Sequence, residues 1–123
     1  LCFFHLDRTL FDFDGLVRLA ESGCYLEYDL FGNESSYYPL ADIDMPSDAQ
    51  RLHFITRLCS EGYSDKIVVS QDICSKHRLV SYGGHGYGHI MQNIVPRMRQ
   101  KGFSEREIHS IVVDNPARIL TFV

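Results

Sequence analysis

The segment Ile67-Val68-Val69-Ser70-Gln71-Asp72 decides how the chain is read. Its β-branched run predicts a strand over Ile67 to Ser70, and the polar pair Gln71 and Asp72 terminates it. Upstream, the same order of parts recurs twice: a short apolar strand ending in an acid or histidine, a loop, an amphipathic stretch and a glycine. In the first unit, Leu1 to Gly23, the run Cys2, Phe3, Phe4 suits a strand covered on both faces, with His5 and Asp7 at its C-terminal end. Asp12 can cap a helix that carries Phe13, Leu16, Val17 and Ala20, and Gly23 ends it. The second unit opens with a strand from Cys24 to Tyr28, closed by Asp29, and continues through a polar loop with Asn33, Ser35, Ser36 and Pro39. Its helix begins near Pro46, Ser47 and Asp48 and turns Leu52, Ile55 and Leu58 inward before Gly62.

In the third unit a glycine-rich loop follows Asp72 and leads to a helix from about His89 to Lys101, which Pro96 must kink or begin. After Gly102, Ser104 and Glu107 form a capping box for a helix carrying Ile108, Ile111 and Val112. Asn115 and Pro116 read as the N-cap and first residue of a last short helix ending in Leu120 and Phe122. Parallel strands need crossover helices, so three βα units describe either a small doubly wound sheet or one sector of a (β/α) barrel. Periodicity does not choose between them.

The 123 residues are 45% hydrophobic and 23% charged, the composition of a folded domain with a modest core. Twelve Lys and Arg are scattered among sixteen Asp and Glu, for a net charge of −4, which argues against a nucleic-acid partner. No apolar run is long enough to span a membrane, and Leu1 to His5 lacks the features of a signal peptide. Cys2, Cys24, Cys59 and Cys74 stand singly without C-x-x-C spacing, as reduced thiols in a cytoplasmic protein would. The chain opens on Leu1 with a buried-strand pattern, which is expected of part of a longer protein.

In both architectures ligands bind at the C-terminal ends of the strands, where His5, Asp7, Asp29 and Asp72 fall. Imidazole and carboxylate suit a divalent metal. The competing reading is a hydrogen-bonded core histidine and helix-capping aspartates. The loop ICSKHRLVSYGGHGYGHI, Ile73 to Ile90, holds His77, His85 and His89 but no P-loop and no H-E-x-x-H spacing. It suits a lid over a substrate better than a phosphate cradle, the alternative being a connection whose histidines face water. His53 and His109 lie in helical patterns and read as structural.

Four stretches taken together, HLDRT (His5 to Thr9), VVSQDIC (Val68 to Cys74), YGGHGYGHI (Tyr82 to Ile90) and NPARILTF (Asn115 to Phe122), resemble phosphotriesterase-related proteins of the amidohydrolase superfamily. The resemblance implies that residues 1–123 are the C-terminal part of a single (β/α)8 TIM barrel, with Leu1 to His5, Tyr25 to Asp29 and Ile67 to Asp72 as strands 6, 7 and 8. It implies two divalent metals, usually zinc, with His5 as ligand of one and Asp72 of the other. Metal-assisted hydrolysis of a small-molecule substrate follows, with Asp72 as the catalytic proton acceptor. Bacterial phosphotriesterases relay that proton through a histidine and an acid where this chain has Leu30 and Arg8. That departure points to carboxylic esters or amides, such as N-acyl amino acids of the N-acetyltaurine type, rather than phosphotriesters.

The family's other metal ligands would lie upstream of Leu1, so this stretch alone is expected to be inactive. An anionic substrate needs a cation or hydrogen-bond donors; Arg8, Tyr82 and His85 are the candidates, unless Arg8 simply pairs with Asp7 or Asp12. A separate reading, from another function class, is a small doubly wound binding or regulatory module with an acidic pocket at Asp7, Asp29 and Asp72 and Lys76 nearby. A third, a mere interaction partner, has no residue in its favour.

Overall fold

The computed structural model describes residues 1–121. Three parallel strands, β1 (Cys2–Phe3), β2 (Tyr25–Tyr28) and β3 (Ile67–Val69), lie in the order β1-β2-β3. Successive strands are neighbours, as right-handed βαβ connections normally make them. The register pairs Cys2 with Tyr25, and Leu26, Glu27 and Tyr28 with Ile67, Val68 and Val69. Ser70 prolongs the ladder by donating its N–H to the Tyr28 carbonyl at 2.9 Å.

Helix α1 (Phe13–Glu21) joins β1 to β2 and starts where the Asp12 carboxylate accepts the Gly15 N–H at 2.9 Å. Helix α2 (Asp48–Ser60) joins β2 to β3 and opens on a capping box in which Ser47 and Gln50 satisfy each other's backbone N–H groups. Its inward residues Leu52, Ile55 and Leu58 are fully buried, as their spacing predicts. They meet Leu16 of α1 and Leu26 and Ile67 of the sheet in one continuous core.

That core occupies one face of the sheet. Along β2, Leu26 and Tyr28 are buried while Tyr25 and Glu27 of the opposite face are half-exposed. β1 is an edge strand, and Phe3 and Phe4 are 47% and 61% exposed rather than covered on both faces. A doubly wound sheet would carry a second apolar layer on the Tyr25 face. Of the strand residues on that face only Val68, in register with Glu27, is buried, which fits a partial barrel instead.

Two proline-containing segments depart from expectation in the same way. The helix from His89 neither starts nor breaks at Pro96: a π turn over Ile90–Ile94 runs directly into α3 (Val95–Gln100). Likewise α4 (Glu105–His109), opened by the Ser104–Glu107 capping box, continues through a π turn over Ser110–Asp114 into α5 (Asn115–Leu120). Proline has no N–H to give and its ring crowds a carbonyl one turn earlier, and a locally wider turn relieves both conflicts. Asn115 is therefore not an N-cap. Its backbone is helical, and its buried amide donates to the carbonyls of Ser64 at 2.8 Å and Ile67 at 2.7 Å, clamping the last helix onto the start of β3. Phe122, assigned by the sequence reading to the end of that helix, lies outside the described residues.

In the full-length protein, Asn115→Ala strands one buried and one part-buried carbonyl and is expected to cost about 1–3 kcal/mol. The exposed cap deletion Ser104→Ala is expected to cost about 1 kcal/mol. Denaturant melts check the order; an Asn115 loss no larger than the Ser104 loss would remove the clamp from the account.

Candidate metal and substrate site

His5 and Asp72 stand immediately beyond β1 and β3, and they are the only described non-glycine residues with positive φ, at 59° and 45°. Left-handed backbone is unfavourable for a residue with a Cβ and concentrates at functional sites. At His5 the twist turns the ring off the strand's alternation and onto Asp29 at the end of β2. Its Nδ1 lies 2.9 Å and 2.8 Å from the two Asp29 carboxylate oxygens, and its backbone N–H donates to Oδ2 at 3.2 Å. With Nδ1–H given to the carboxylate, a neutral ring presents Nε2 as a lone-pair donor, the arrangement by which carboxylates orient metal-binding histidines. Burial raises the Asp29 carboxyl to about 6, with the His5 hydrogen bond opposing the shift and the nearby Asp7 charge adding to it.

Asp72 is the complement. Arg78 Nη1 donates to its backbone carbonyl at 2.9 Å, while its exposed carboxylate has no hydrogen-bond or ion-pair partner among the described residues. A backed imidazole and a free carboxylate are suitable donors for divalent cations. Among the described residues no three His, Cys, Asp or Glu groups converge, His5 and Asp72 included.

Behind these two lies a network absent from the sequence reading. Arg51, fully buried on the inward face of α2, donates through Nε to Asp7 at 2.7 Å, through Nη1 to Asp48 at 2.9 Å and through Nη2 to the Asn33 carbonyl at 2.9 Å. Asp7 also accepts the Leu30 N–H at 3.0 Å, and Asp48 accepts the Gly32 N–H at 2.9 Å. The other Asp48 oxygen lies 2.7 Å from His89 Nε2, and Asn93 bonds His89 Nδ1 at 3.0 Å. His89 thus has both ring nitrogens engaged and is structural. The one available signal was spacing: Arg51 sits with Ile55 and Leu58 on the apolar stripe of α2. An acidic pocket at Asp7, Asp29 and Asp72 does not form, because Arg51 holds the first and His5 the second.

A cleft of about 510 Å³ opens between the segment after β2 and the glycine-rich loop, lined by residues that include Glu34, Tyr37, His77, Arg78 and His85. Of the three substrate-binding candidates, His85 lines this cleft. Its ring stacks on His89, centroids 4.2 Å apart, and both rings abut Gly32 so closely that a Cβ there would come within 3.1 Å and 3.2 Å of them. Arg8 lies outside the lining, with its guanidinium 5.4 Å above the Tyr38 ring. It pairs with neither of the expected acids, since Asp7 is on Arg51 and Asp12 is 3.6 Å from Arg18. Tyr82 is exposed beneath Lys76. Leu30 is buried. His77 faces water.

The glycine-rich loop itself is fastened down. Gly86 N–H donates to the Arg78 carbonyl at 2.9 Å, and Gln71 donates to the Gly86 and Tyr87 carbonyls at 3.2 Å and 2.9 Å. Gly84 packs so tightly on Arg78 that a Cβ would lie 2.2 Å from a backbone carbon, which no side chain tolerates.

The strand-end residues and the cleft beside them define a parallel α/β chain that gathers its chemistry at strand C-termini. Residues 1–120 match the Phosphotriesterase family, and the chain belongs to that family. It is 52% identical over 120 residues to the N-acetyltaurine hydrolase of Dictyostelium discoideum, covering 97% of this chain and 32% of that protein. To a phosphotriesterase-related protein of Drosophila mojavensis it is 56% identical over 119 residues, 96% of this chain and 34% of the relative. The resiniferatoxin-binding protein from Rhodobacter sphaeroides superposes with a TM-score of 0.87 at 31% identity, over 94% of this chain and 32% of that one. The phosphotriesterase homology protein from Escherichia coli, solved with phosphate in its active site, superposes with a TM-score of 0.81 at 26% identity, over 95% and 37%. The chain spans about a third of the length of these curated relatives.

Removing Arg51 while keeping its volume leaves two buried carboxylates without their cation. In the full-length protein Arg51→Met is expected to cost about 3–5 kcal/mol. A loss below about 1 kcal/mol in denaturant unfolding would contradict the view that this network ties the site together.

Proposed function

We propose that the protein containing this chain is a metal-dependent hydrolase of small N-acyl amino acids, and that residues 1–123 supply strands 6 to 8 of its (β/α)8 barrel. The observation that carries the reading is the pair of left-handed residues at the strand ends, a carboxylate-backed His5 and an unpartnered Asp72. His5 would hold one divalent cation through Nε2 and Asp72 would hold the other, zinc being the metal the resemblance favours. When bound, such cations polarise the scissile carbonyl and supply a nucleophile from water near neutral pH. Asp29 fixes the His5 tautomer and ring plane. Asp72, whose carboxylate is free of other bonds, accepts the proton of the attacking water.

Two further observations support the substrate class. The names of several curated relatives include N-acetyltaurine hydrolase. Buried Leu30 and aromatic-stacked Arg8 offer no outward proton relay of the bacterial kind. Arg8, Tyr82 and His85 remain the proposed contacts for the substrate's acid group. All four cysteines are free, as the cytoplasmic placement proposed here requires. No described helix is long and apolar enough to cross a membrane.

In the full-length protein Asp72→Ala is expected to abolish hydrolysis of N-acetyl amino acids and to lower metal content. Asp29→Ala should retain part of the metal, with affinity about 10–100-fold weaker. Elemental analysis and turnover check both, and an Asp72→Ala protein with full metal and full activity would end the assignment. Arg8→Ala and His85→Ala are expected to raise KM for anionic N-acyl substrates while changing neutral ester hydrolysis much less. Equal losses on both substrates would mark these residues as structural.

A further inference from the structure

Among the residues lining the cleft, Arg78 has a charge that no acid among the described residues neutralises. Its Nη1 donates to the Asp72 carbonyl at 2.9 Å and its Nη2 to the Phe31 carbonyl at 3.0 Å. Carbonyl oxygens satisfy hydrogen bonds without cancelling a full positive charge. Glu34 is the only acid in the lining, and it is committed to the Asp48 N–H at 2.6 Å and outside ion-pair distance of Arg78. The remaining N–H groups of the guanidinium are left for a ligand.

The placement is as informative as the charge. The two carbonyls come from the ends of β2 and β3, so the fork is fixed between strands rather than swinging on a flexible stem. Its backbone is held too: the Arg78 carbonyl accepts from Gly86, and Gly84 lies against it. Arg78 also grips the backbone of Asp72 itself, which ties the cleft wall to the turn after β3. His77 and His85 line the same cleft. Arg8, by contrast, is stacked on Tyr38 and absent from the lining.

We infer that Arg78 is a further receptor for the acid group of the substrate, a sulfonate or carboxylate, in addition to the contacts proposed above, and that the same fork braces the Asp72 turn. The inference rests on the hydrolase reading for the identity of the substrate, but the anion site is testable without turnover. Planar bidentate geometry at a fixed fork is what a lysine does not reproduce.

The test uses the metal-loaded full-length protein, with ethanesulfonate as probe and uncharged diethyl sulfone as the shape control, in calorimetric titrations of wild type, Arg78→Lys and Arg78→Gln. Ethanesulfonate affinity is expected to fall at least tenfold in Arg78→Gln and at least threefold in Arg78→Lys, with sulfone binding unchanged. KM for an N-acetylated aminosulfonate should rise in the same order. Wild-type sulfonate affinity in Arg78→Gln would overturn the assignment. If that variant does not fold, wild-type affinity in Arg78→Lys would overturn it equally. Loss of sulfonate binding in a protein whose wild type hydrolyses no N-acyl amino acid would uphold the Arg78 site and sink the hydrolase reading. Intact hydrolysis with unaltered sulfonate binding in Arg78→Gln would do the reverse.

Discussion

A guanidinium fully removed from water constrains the C-terminal end of this sheet. Arg51 cannot be buried alone, since an unpaired charge in the interior costs several kcal/mol by a rough reckoning. It is tolerated because Asp7, Asp48 and the Asn33 carbonyl converge on it from three different segments. The converse also holds: the turn after β1, the loop after β2 and the first turn of α2 have their relative positions set by the need to reach one cation. His89 extends that constraint to the glycine-rich loop through Asp48, and through stacking to His85 on the cleft wall. One Asp7 oxygen is left without a partner, so satisfaction is incomplete at that carboxylate.

The two strained residues are stabilised by the same logic on a smaller scale. His5 and Asp72 each hold an unfavourable backbone conformation, of order 1–3 kcal/mol apiece, that persists only where surroundings over-determine it. At His5 the restraint is Asp29, which takes both the ring and the backbone N–H. At Asp72 it is Arg78, which takes the carbonyl. Each restraint reaches a neighbouring strand end: Asp29 lies beyond β2, and Arg78 also binds the Phe31 carbonyl beyond it. The end of the middle strand is therefore the fixed point against which both strand-end residues are aimed.

How much of this was legible in the sequence follows the range of each interaction. Strands, capping boxes and the inward stripe of α2 depend on residues within a turn or two of each other, and the pattern of Ser47, Gln50, Leu52 and Ile55 displays them directly. His5 and Asp72 were legible as candidates because a strand's C-terminal end is a chemical address in parallel folds. Arg51 and Arg78 were not, since their decisive partners stand 44 and 47 residues away. Asn115 misled for a related reason. Asn-Pro ordinarily starts a helix, yet here a contact 48 residues distant outweighs the local preference and the π turn absorbs the proline.

The one-sided core has a further consequence for where specificity resides. Along β2 the buried face meets the helices, and the face bearing Tyr25 and Glu27 is the one a closed barrel would turn inward. On the proposed reading, the remaining metal ligands belong to strands outside this stretch, while the cleft walls, the anion receptor and the final carboxylate all belong to it. Substrate choice and the last metal contact are then encoded together, because Arg78 holds Asp72 with the same group that faces the substrate. On that reading, a change of acid group that shifted Arg78 would also disturb the turn that carries Asp72. Recognition and proton acceptance would then be linked through a single hydrogen bond, which would restrict the substrates that can be both bound and cleaved to those whose acid group leaves that bond in place.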